Sequence, residues 1–213
     1  MGIIHIINKN TTKMKKLFLI AAMMVMTLAA NAQLKVGTTF VKPTVGINLA
    51  NISGQDQDMR VGANVGAEFE HALAKQFSVS GGLIYSMQGM KTSGGGVTET
   101  TAFDYINIPI MGNYYISKNF ALKFGLQPGF KASAKSKISG NGSSGSEDWD
   151  SSVSQICLSI PLGFAVEFSD FVLDARYSLG ITNVLKDDYV FQTSGKNGKN
   201  NVISINLAYK LPL

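Results

Sequence analysis

The sequence predicts an all-β protein, an eight-stranded antiparallel up-and-down transmembrane β-barrel. Beyond residue 33, apolar residues alternate with small or polar ones with a period of two, the period of a strand whose two faces differ. The connections between these segments are alternately short and long, and aromatic residues flank the short ones. Membrane barrels with tight periplasmic turns and long external loops have this arrangement, which a soluble sandwich does not require.

The first 32 residues predict an export signal. Lys15 and Lys16 precede an apolar run over residues 17–28, which is shorter than the about 20 apolar residues of a spanning helix. The run ends near Ala30-Asn31-Ala32, a small-x-small pattern that signal peptidase cleaves. We expect residues 1–32 to be a signal peptide cleaved between Ala32 and Gln33, with residues 33–213 forming one barrel domain. Translation that starts at Met14 would still include the two lysines, the apolar run and the cleavage pattern of the signal.

The charge of the chain argues against a nucleic-acid partner. The formal net charge is +5 on 213 residues, from 19 basic and 14 acidic side chains. Four of the lysines lie in the expected signal peptide, so the net charge of the mature chain is +1. No excess of cationic surface remains for nucleic acid. The single cysteine, Cys157, excludes a disulfide framework and a thiolate metal cluster.

Eight segments have the strand pattern, an even number as in bacterial outer-membrane barrels. In the clearest one, Phe120, Leu122 and Phe124 lie on one face, and Lys123 and Gly125 lie on the other. The segments are 40–51, 60–71, 76–90, 102–116, 120–131, 156–168, 171–182 and 203–211. Short turns are predicted near 72–75, 117–119 and 169–170, and long polar loops near 52–59, 91–101, 135–152 and 184–199.

Six aromatic residues on the apolar face flank the three short turns, and a seventh lies at the corresponding depth near the C-terminus. A girdle of aromatic side chains at the membrane–water boundary is typical of lipid-facing barrels. We expect such a girdle at the periplasmic boundary, formed by Phe69, Phe77, Tyr114, Phe120, Phe168, Phe171 and Tyr209.

The opposite face holds glycines and charged residues, which predicts a polar lumen. Buried charges must pair, and six bases with four acids largely can. We interpret them as a structural charge network that rigidifies the barrel: Lys42, Arg60, Glu68, Glu70, Lys123, Lys131, Glu167, Asp174, Arg176 and Lys210. Side chains fill the lumen of eight strands, which excludes a wide solute pore. The alternative is a soluble calyx with the apolar face inside, which the girdle and the small, weakly charged opposite face both disfavour.

Catalytic, cofactor and metal sites are not predicted. A lipid-modifying barrel enzyme would need a serine activated by a base such as histidine, but His71 lies at the inner end on the lipid-facing side, and His5 precedes the signal. Glu68 and Glu70 are better explained as ion-paired than as catalytic carboxylates. Cys157 is expected to be a buried, inert thiol.

The external segment 139–152 is the most unusual in composition. Its three acids, at positions 147, 148 and 150, could offer oxygens to Ca²⁺ but lack regular ligand spacing, so we predict no metal site. Trp149 is the only tryptophan. It is a candidate surface contact, either as an anchor for a partner or as a residue that dips into the outer leaflet.

Several segments resemble successive strands of PorT-like outer-membrane β-barrel proteins, with a small-barrel architecture like that of OmpX and OmpA. They are 40–54 (FVKPTVGINLANISG), 77–91 (FSVSGGLIYSMQGMK), 104–115 (DYINIPIMGNYY), 174–183 (DARYSLGITN) and the closing 206–211 (NLAYKL). The resemblance covers nearly all of 36–211. It implies an integral protein of the cell outer membrane, in a family whose namesake is associated with type IX secretion.

The expected function is that of a non-enzymatic scaffold or interaction protein that presents external loops, chiefly 135–152 and 184–199, to a partner. Fold alone does not fix function, so alternatives stay open: an accessory of outer-membrane secretion or assembly that acts through the periplasmic rim, and, less favoured, a lipid-modifying enzyme or a narrow pore. The expected partners are outer-membrane lipid and a protein at the external loops or the periplasmic rim. No cofactor is expected.

Overall fold

The computed structural model describes residues 34–53, 58–94, 97–140, 143–148, 153–184 and 198–213. Within these ranges no helix is long and apolar enough to cross a membrane. The strands are β1 (Thr39–Ile52), β2 (Asp58–Ala74), β3 (Phe77–Gly94), β4 (Val97–Asn107), β5 (Ile110–Ser117), β6 (Phe120–Gly140), β7 (Ser143–Asp148), β8 (Ile156–Phe168), β9 (Phe171–Gly180), β10 (Asn200–Tyr209) and β11 (Leu211–Pro212).

These strands form a closed antiparallel ring with eight positions. Strand β5 continues β4 after a break at Pro109, which has no backbone N–H to donate. Strand β11 continues β10 after a break at Lys210, whose N–H donates to the Asp170 carbonyl instead. Around the ring β1, β2, β3, β4 with β5, β6, β8, β9 and β10 are each paired with the next. Pairing of β10 with β1, from Thr44↔Ala208 to Ile52↔Asn200, closes the ring. The predicted eight-stranded up-and-down barrel is therefore confirmed.

The three short turns lie at one end of the barrel, at 75–76, 118–119 and 169–170. The tightest joins β8 to β9, where Phe168 pairs directly with Phe171. Ser169 in this turn has a positive φ of 56°, which a two-residue hairpin turn requires and which is uncommon outside glycine. Short turns at this end place the long connections at the other, as predicted.

Two of the predicted long loops are wrong, because much of their length is strand. Strands β3 and β4 stay paired as far as Gly94↔Val97, within the predicted loop 91–101. Strands β6 and β7 pair from Lys135↔Asp148 to Gly140↔Ser143, within the predicted loop 135–152. Both faces of these extensions are polar, so the alternation of apolar and polar residues that marks the barrel strands is missing. Threonines at 98, 100 and 101 were the remaining strand signal.

The barrel wall is apolar outside and polar inside. On the outer face Val61 is 68% exposed and Leu83 is 60% exposed, whereas inside the ring Glu68 is 1% exposed and Asn48 is fully buried. Water would strongly disfavour this inversion, and a lipid bilayer favours it. The calyx alternative, which places the apolar residues inside, is wrong.

The seven expected girdle residues all lie on the outer face at the end with the short turns. The rings of Phe168 and Phe171 stack with centroids 6.2 Å apart, and Tyr209 contacts Phe171 edge-on at 5.2 Å. Phe69 and Tyr114 are exposed, and Phe77 and Phe120 are partly exposed. Aromatic rings at this depth suit the boundary between lipid and water.

Candidate functional site

The centre of the lumen is an ionic layer with three acids and three bases. Glu68 and Asp174 are shared by several cations: Arg176 Nη1 lies 2.6 Å from Glu68 Oε1, and Arg176 Nε lies 2.5 Å from Asp174 Oδ1. Lys123 Nζ lies 2.6 Å from Asp174 Oδ2 and 3.5 Å from Glu68 Oε2. All four side chains are buried. Sharing each acid among several donors offsets the desolvation of these charges.

Sheet register brings the remaining pair of this layer together. Lys42 on β1 lies directly opposite Glu68 on β2, and its Nζ is 3.8 Å from Glu68 Oε2. The same ammonium also forms an ion pair with Glu70, two residues along on the same face of β2. Six of the predicted lumen residues thus form one connected set: Lys42, Glu68, Glu70, Lys123, Asp174 and Arg176.

A second, smaller ion pair lies below this layer, toward the short turns. Lys210 Nζ lies 2.8 Å from Glu167 Oε2 and 4.3 Å from the centroid of the Phe40 ring. The hydroxyl of Tyr115 contacts both Glu167 and Glu70, so it joins this pair to the ionic layer. Tyr115 was not among the predicted lumen residues, although strand alternation with the outward-facing Tyr114 places it on the inner face.

The other two predicted lumen residues are not part of the ionic layer. Arg60 Nη1 lies 3.5 Å from Asp104 Oδ1, and it also donates to the carbonyl of Gln88. The other carboxylate oxygen of Asp104 accepts from the exposed Tyr85 hydroxyl at 2.8 Å. Lys131 Nζ donates to the carbonyl of Val153 at 3.5 Å. Asp104 was absent from the predicted set. It stands between Phe103 and Tyr105, which face the lumen, so strand alternation gives it the other face, and its pairing with Arg60 was not predicted.

Above the ionic layer the lumen is lined by amides and hydroxyls, which sequence analysis missed. Asn48 donates to Ser86 Oγ at 2.9 Å and accepts from Asn64 Nδ2 at 2.8 Å. Asn200 Nδ2 donates to Gln88 Oε1 at 2.5 Å. Two cavities here have volumes of about 20 Å³ each, room for little more than a water molecule. These polar residues lie on the same strand face as the lumen charges. That shared face was the feature of the sequence that could have identified them.

An apolar cluster closes the lumen at the end opposite the short turns. The sequence analysis did not predict this cluster, which consists of Ile52, Met90, Phe103, Tyr105, Ala134, Val153 and Val184. Cys157 packs against it, with Sγ 3.4 Å from the Tyr105 hydroxyl. At the other end Leu34 packs against Tyr115 and Ala121. Within the described residues, side chains therefore fill the lumen from end to end.

Within the part of the chain that the structure describes, the remaining candidate residues form no reactive arrangement. His71 is exposed on the outer face, with Nδ1 2.8 Å from Thr39 Oγ1. The described ranges contain no group of three or more His, Cys, Asp or Glu that could hold a metal ion. Positions 147 and 148 lie on β7, while Trp149 and Asp150 fall outside the described residues, as do Ala32 and Gln33.

Beyond the ring, part of the wall continues outward as an external sheet. Pairing of β6 with β8 ends at Phe130↔Ile156, but β6 runs on to Gly140. We define the external sheet by its strand segments: 92–94 of β3, 97–101 of β4, 132–140 of β6, and β7. Each segment pairs with the next in that order, and β7 pairs only with β6 among the described strands. Among the strands that the structure describes, the far side of β7 is therefore a sheet edge.

Comparison with known proteins identifies this architecture. A family described as the outer membrane protein beta-barrel domain matches residues 29–186. The chain belongs to this family. It is therefore an outer-membrane β-barrel, and its apolar outer face contacts lipid.

Solved structures support the same fold at low sequence identity. Ail, the attachment invasion locus protein of Yersinia pestis, in complex with the heparin analogue sucrose octasulfate, has a TM-score of 0.50 and 16% identity, with 83% of this chain and 99% of that chain covered. Neisserial surface protein A has a TM-score of 0.50 and 12% identity, with 81% and 97% covered. No curated protein sequence shows significant similarity to this chain. At such identities the likeness concerns the fold alone.

Proposed function

We propose that this outer-membrane barrel is a non-enzymatic scaffold whose external sheet contacts a protein partner outside the cell. The observation behind the proposal is the edge of β7, which pairs only with β6 among the described strands. An unpaired edge presents a row of backbone N–H and C=O groups, to which an extended segment of a partner adds as another strand.

The composition of β7 suits this mode of binding. Its sequence, SSGSED, contains no proline, and the small residues at its start offer little steric hindrance to an incoming strand. Natural edge strands are commonly protected by charged side chains, especially lysine, by proline or by a bulge; β7 has no lysine or proline, and its two acids stand at its C-terminal end, Glu147 and Asp148.

The barrel itself serves as the rigid anchor in this proposal. The ten charged lumen residues have a structural role, because the ion pairs join strands that are distant in sequence: Arg176 on β9 to Glu68 on β2, and Lys123 on β6 to Asp174 on β9. Export by the signal peptide at 1–32 delivers the chain to the outer membrane. The fold of Ail, solved with sucrose octasulfate, is a precedent for ligand binding by a barrel of this kind.

Deletion of residues 136–150 tests the proposal. The deletion removes β7 and its partner segment but leaves the ring pairing at Phe130↔Ile156. We expect a barrel whose mobility on a denaturing gel still changes on boiling, and which has lost surface crosslinks to external proteins. Deleting 186–196, in the other long connection, is the control and should keep those crosslinks. Crosslinks that survive loss of β7 would contradict the proposal.

A second candidate is a PorT-like accessory role in secretion or assembly through the periplasmic rim. It is supported by residues 34–38, which cross this mouth of the barrel: Leu34 N–H donates to the Lys75 carbonyl at 2.8 Å, and Gly37 N–H donates to the Ala72 carbonyl at 2.8 Å. They give the rim an ordered backbone surface. Crosslinks to periplasmic or membrane proteins that persist after deletion of 136–150 would favour this role. A narrow pore and a lipid-modifying enzyme have less support, given the filled lumen and the position of His71.

A further inference from the structure

The two small cavities of the lumen lie between the ionic layer and the apolar cluster. Arg176 of the ionic layer lines one of them, the lower cavity, and Tyr105 of the apolar cluster lines the other, the upper cavity. Each has a volume of about 20 Å³, and a space of about 10–15 Å³ is enough for one water molecule. The cavities adjoin, because they share five lining residues: Gln88, Asn107, Gln127, Ser178 and Val202.

Three asparagines that line these cavities have an amide oxygen without a hydrogen-bond donor. Asn64 and Asn206 line the lower cavity, and Asn200 lines the upper one. Asn64 is 5% exposed, Asn206 is 3% exposed and Asn200 is 8% exposed. Their Oδ1 atoms accept no hydrogen bond from any residue that the structure describes. Because a buried oxygen without a donor destabilises the fold, each of these atoms requires a donor inside its cavity.

The neighbouring hydrogen bonds fix which end of each lower amide is the oxygen. Asn206 Nδ2 lies 3.2 Å from Asp174 Oδ1, a carboxylate oxygen, so the nitrogen must point there. Asn48 Nδ2 donates to the carbonyl of Met87 at 3.2 Å, which leaves Asn48 Oδ1 to accept from Asn64 Nδ2 at 2.8 Å. Both unsatisfied atoms of the lower cavity are therefore acceptors.

The sheet register places these two acceptors on either side of a glycine. Gly46 on β1 pairs with Asn64 on β2 and with Asn206 on β10, so the three residues form one row across the lumen wall. A Cβ added at Gly46 would collide with Asn206 Oδ1. With strands about 4.8 Å apart, the Cα atoms of the two asparagines are roughly 10 Å apart, a span that two amide side chains and one water molecule cover.

The chemistry of the site selects its ligand. An anion has no donor for the amide oxygens, and the positive charge of Arg176 beside the lower cavity disfavours a cation. The volume excludes a larger neutral molecule, whereas water is neutral and has two hydrogens to donate.

We propose that the lower cavity binds one water molecule that donates to Asn64 and Asn206, and that the upper cavity binds another that donates to Asn200. Side chains block the lumen on both sides of this pair, so the two molecules exchange slowly with bulk water. The site lies inside the barrel and does not depend on the proposed protein partner at the edge of β7.

The test detects bound water in the full-length protein, folded in nanodiscs of deuterated phosphatidylcholine and labelled with ¹⁵N-asparagine. Cross-relaxation between water and the side-chain amide protons is recorded in the laboratory and rotating frames. The signs of the two effects separate long-lived bound water from surface hydration and from chemical exchange. We expect bound-water cross peaks at the amides of Asn64, Asn200 and Asn206.

Val202→Leu tests the same site without removing a polar group. Val202 is buried and lines both cavities, so a larger side chain there takes the space of the water. We expect the variant to lose the cross peaks and to unfold at a lower urea concentration, because the amide oxygens lose their donors. The matched control is Val65→Leu, the same change at an exposed position of the outer face, which should keep the cross peaks.

Three results would overturn the assignment. They are a wild type without bound-water cross peaks, a Val202→Leu variant that is more stable than the wild type, as expected for a dry cavity, and loss of the cross peaks on adding Tl⁺, which would make a monovalent cation the occupant. If Val202→Leu does not fold, the wild-type spectra alone decide. None of these measurements involves the external sheet, so their failure is distinguishable from failure of the proposed scaffold role.

Discussion

The hydroxyl oxygen of Tyr115 lies 2.7 Å from Oε1 of Glu70, and it is also 2.7 Å from Oε1 of Glu167. A hydroxyl has one proton, so it donates to one of the two carboxylates at a time. Through this contact β5 connects the ionic layer, which contains Glu70, to the Glu167–Lys210 pair near the short turns. Two sets of lumen charges are thereby linked by a neutral side chain.

Replacing Tyr115 with Phe should destabilise the barrel by about 1–3 kcal/mol, because the buried Glu70 and the half-buried Glu167 lose the hydrogen-bond donor that they share while the ring is kept. The measurement is the folded fraction against urea, followed by gel mobility. The Y114F variant is the control, since Tyr114 is exposed on the outer face. Equal midpoints for the two variants would show that the Tyr115 hydroxyl contributes nothing to stability.

Replacing Glu68 with Gln should have a larger effect, about 3–5 kcal/mol. Glu68 is within 4 Å of Arg176, Lys123 and Lys42, so its loss leaves three buried bases with fewer acids. The same urea titration measures the change. The E99Q variant is the matched control, because Glu99 accepts from Ser136 on the external sheet and forms no ion pair among the described residues. A midpoint for E68Q within error of that control would refute a structural role for the ionic layer.

Sequence patterns sufficed for the ring but not for the contents of the lumen. Parity assigned Lys42, Glu68 and Arg176 to the inside, because strand alternation is local and the bilayer imposes it uniformly. Parity cannot tell which of several inward charges meet, since that depends on the stagger between strands. The pairing of Arg60 with Asp104, across β3, was missed for a different reason, because Asp104 alternates with the lumen residues Phe103 and Tyr105 and so has outward parity.

The external sheet escaped prediction for a related reason. Residues 97–101, 135–140 and 143–148 lack a regular alternation of apolar and polar residues, so nothing in their hydropathy distinguishes strand from loop. Their strand structure comes from continuing hydrogen-bond ladders that the ring has already started. The apolar cluster around Phe103 was hidden differently, because its members come from several strands and from positions 153 and 184, outside the strands.

Gly82 provides a test of packing in the lumen. It lies opposite Glu68, and a Cβ added at Gly82 would lie 2.9 Å from both Cα and Cγ of Glu68 and still closer to the backbone carbonyl oxygen of Ala67. Gly82→Ala should therefore displace Glu68 and lower stability by about 1–3 kcal/mol. The control is Gly145→Ala on the external sheet, where an added Cβ meets nothing within 4 Å. If both variants unfold at the same urea concentration, the close approach of β2 and β3 is not as described.

The filled lumen predicts an electrically silent protein. In planar bilayers the wild type should show no steady conductance, because an apolar cluster, an amide layer and an ionic layer follow one another along the axis. Phe103→Ala should cost about 3–5 kcal/mol through the cavity it leaves, yet it should remain non-conducting, since the ionic layer is untouched. Resolved channel openings in the wild type would contradict a closed lumen, and openings confined to the variant would identify the apolar cluster as the only barrier.

A charge placed on the outer face tests which solvent that face meets. Val61 and Leu83 are among its most exposed side chains, and a bilayer penalises arginine there by about 2–4 kcal/mol near the midplane. We expect Leu83→Arg to reduce the heat-modifiable protein recovered in the outer-membrane fraction, while Lys75→Arg, in a short turn, leaves it unchanged. In a water-exposed wall the first substitution would instead be neutral or would aid solubility. Unchanged membrane recovery of Leu83→Arg would therefore argue that this part of the wall does not contact lipid.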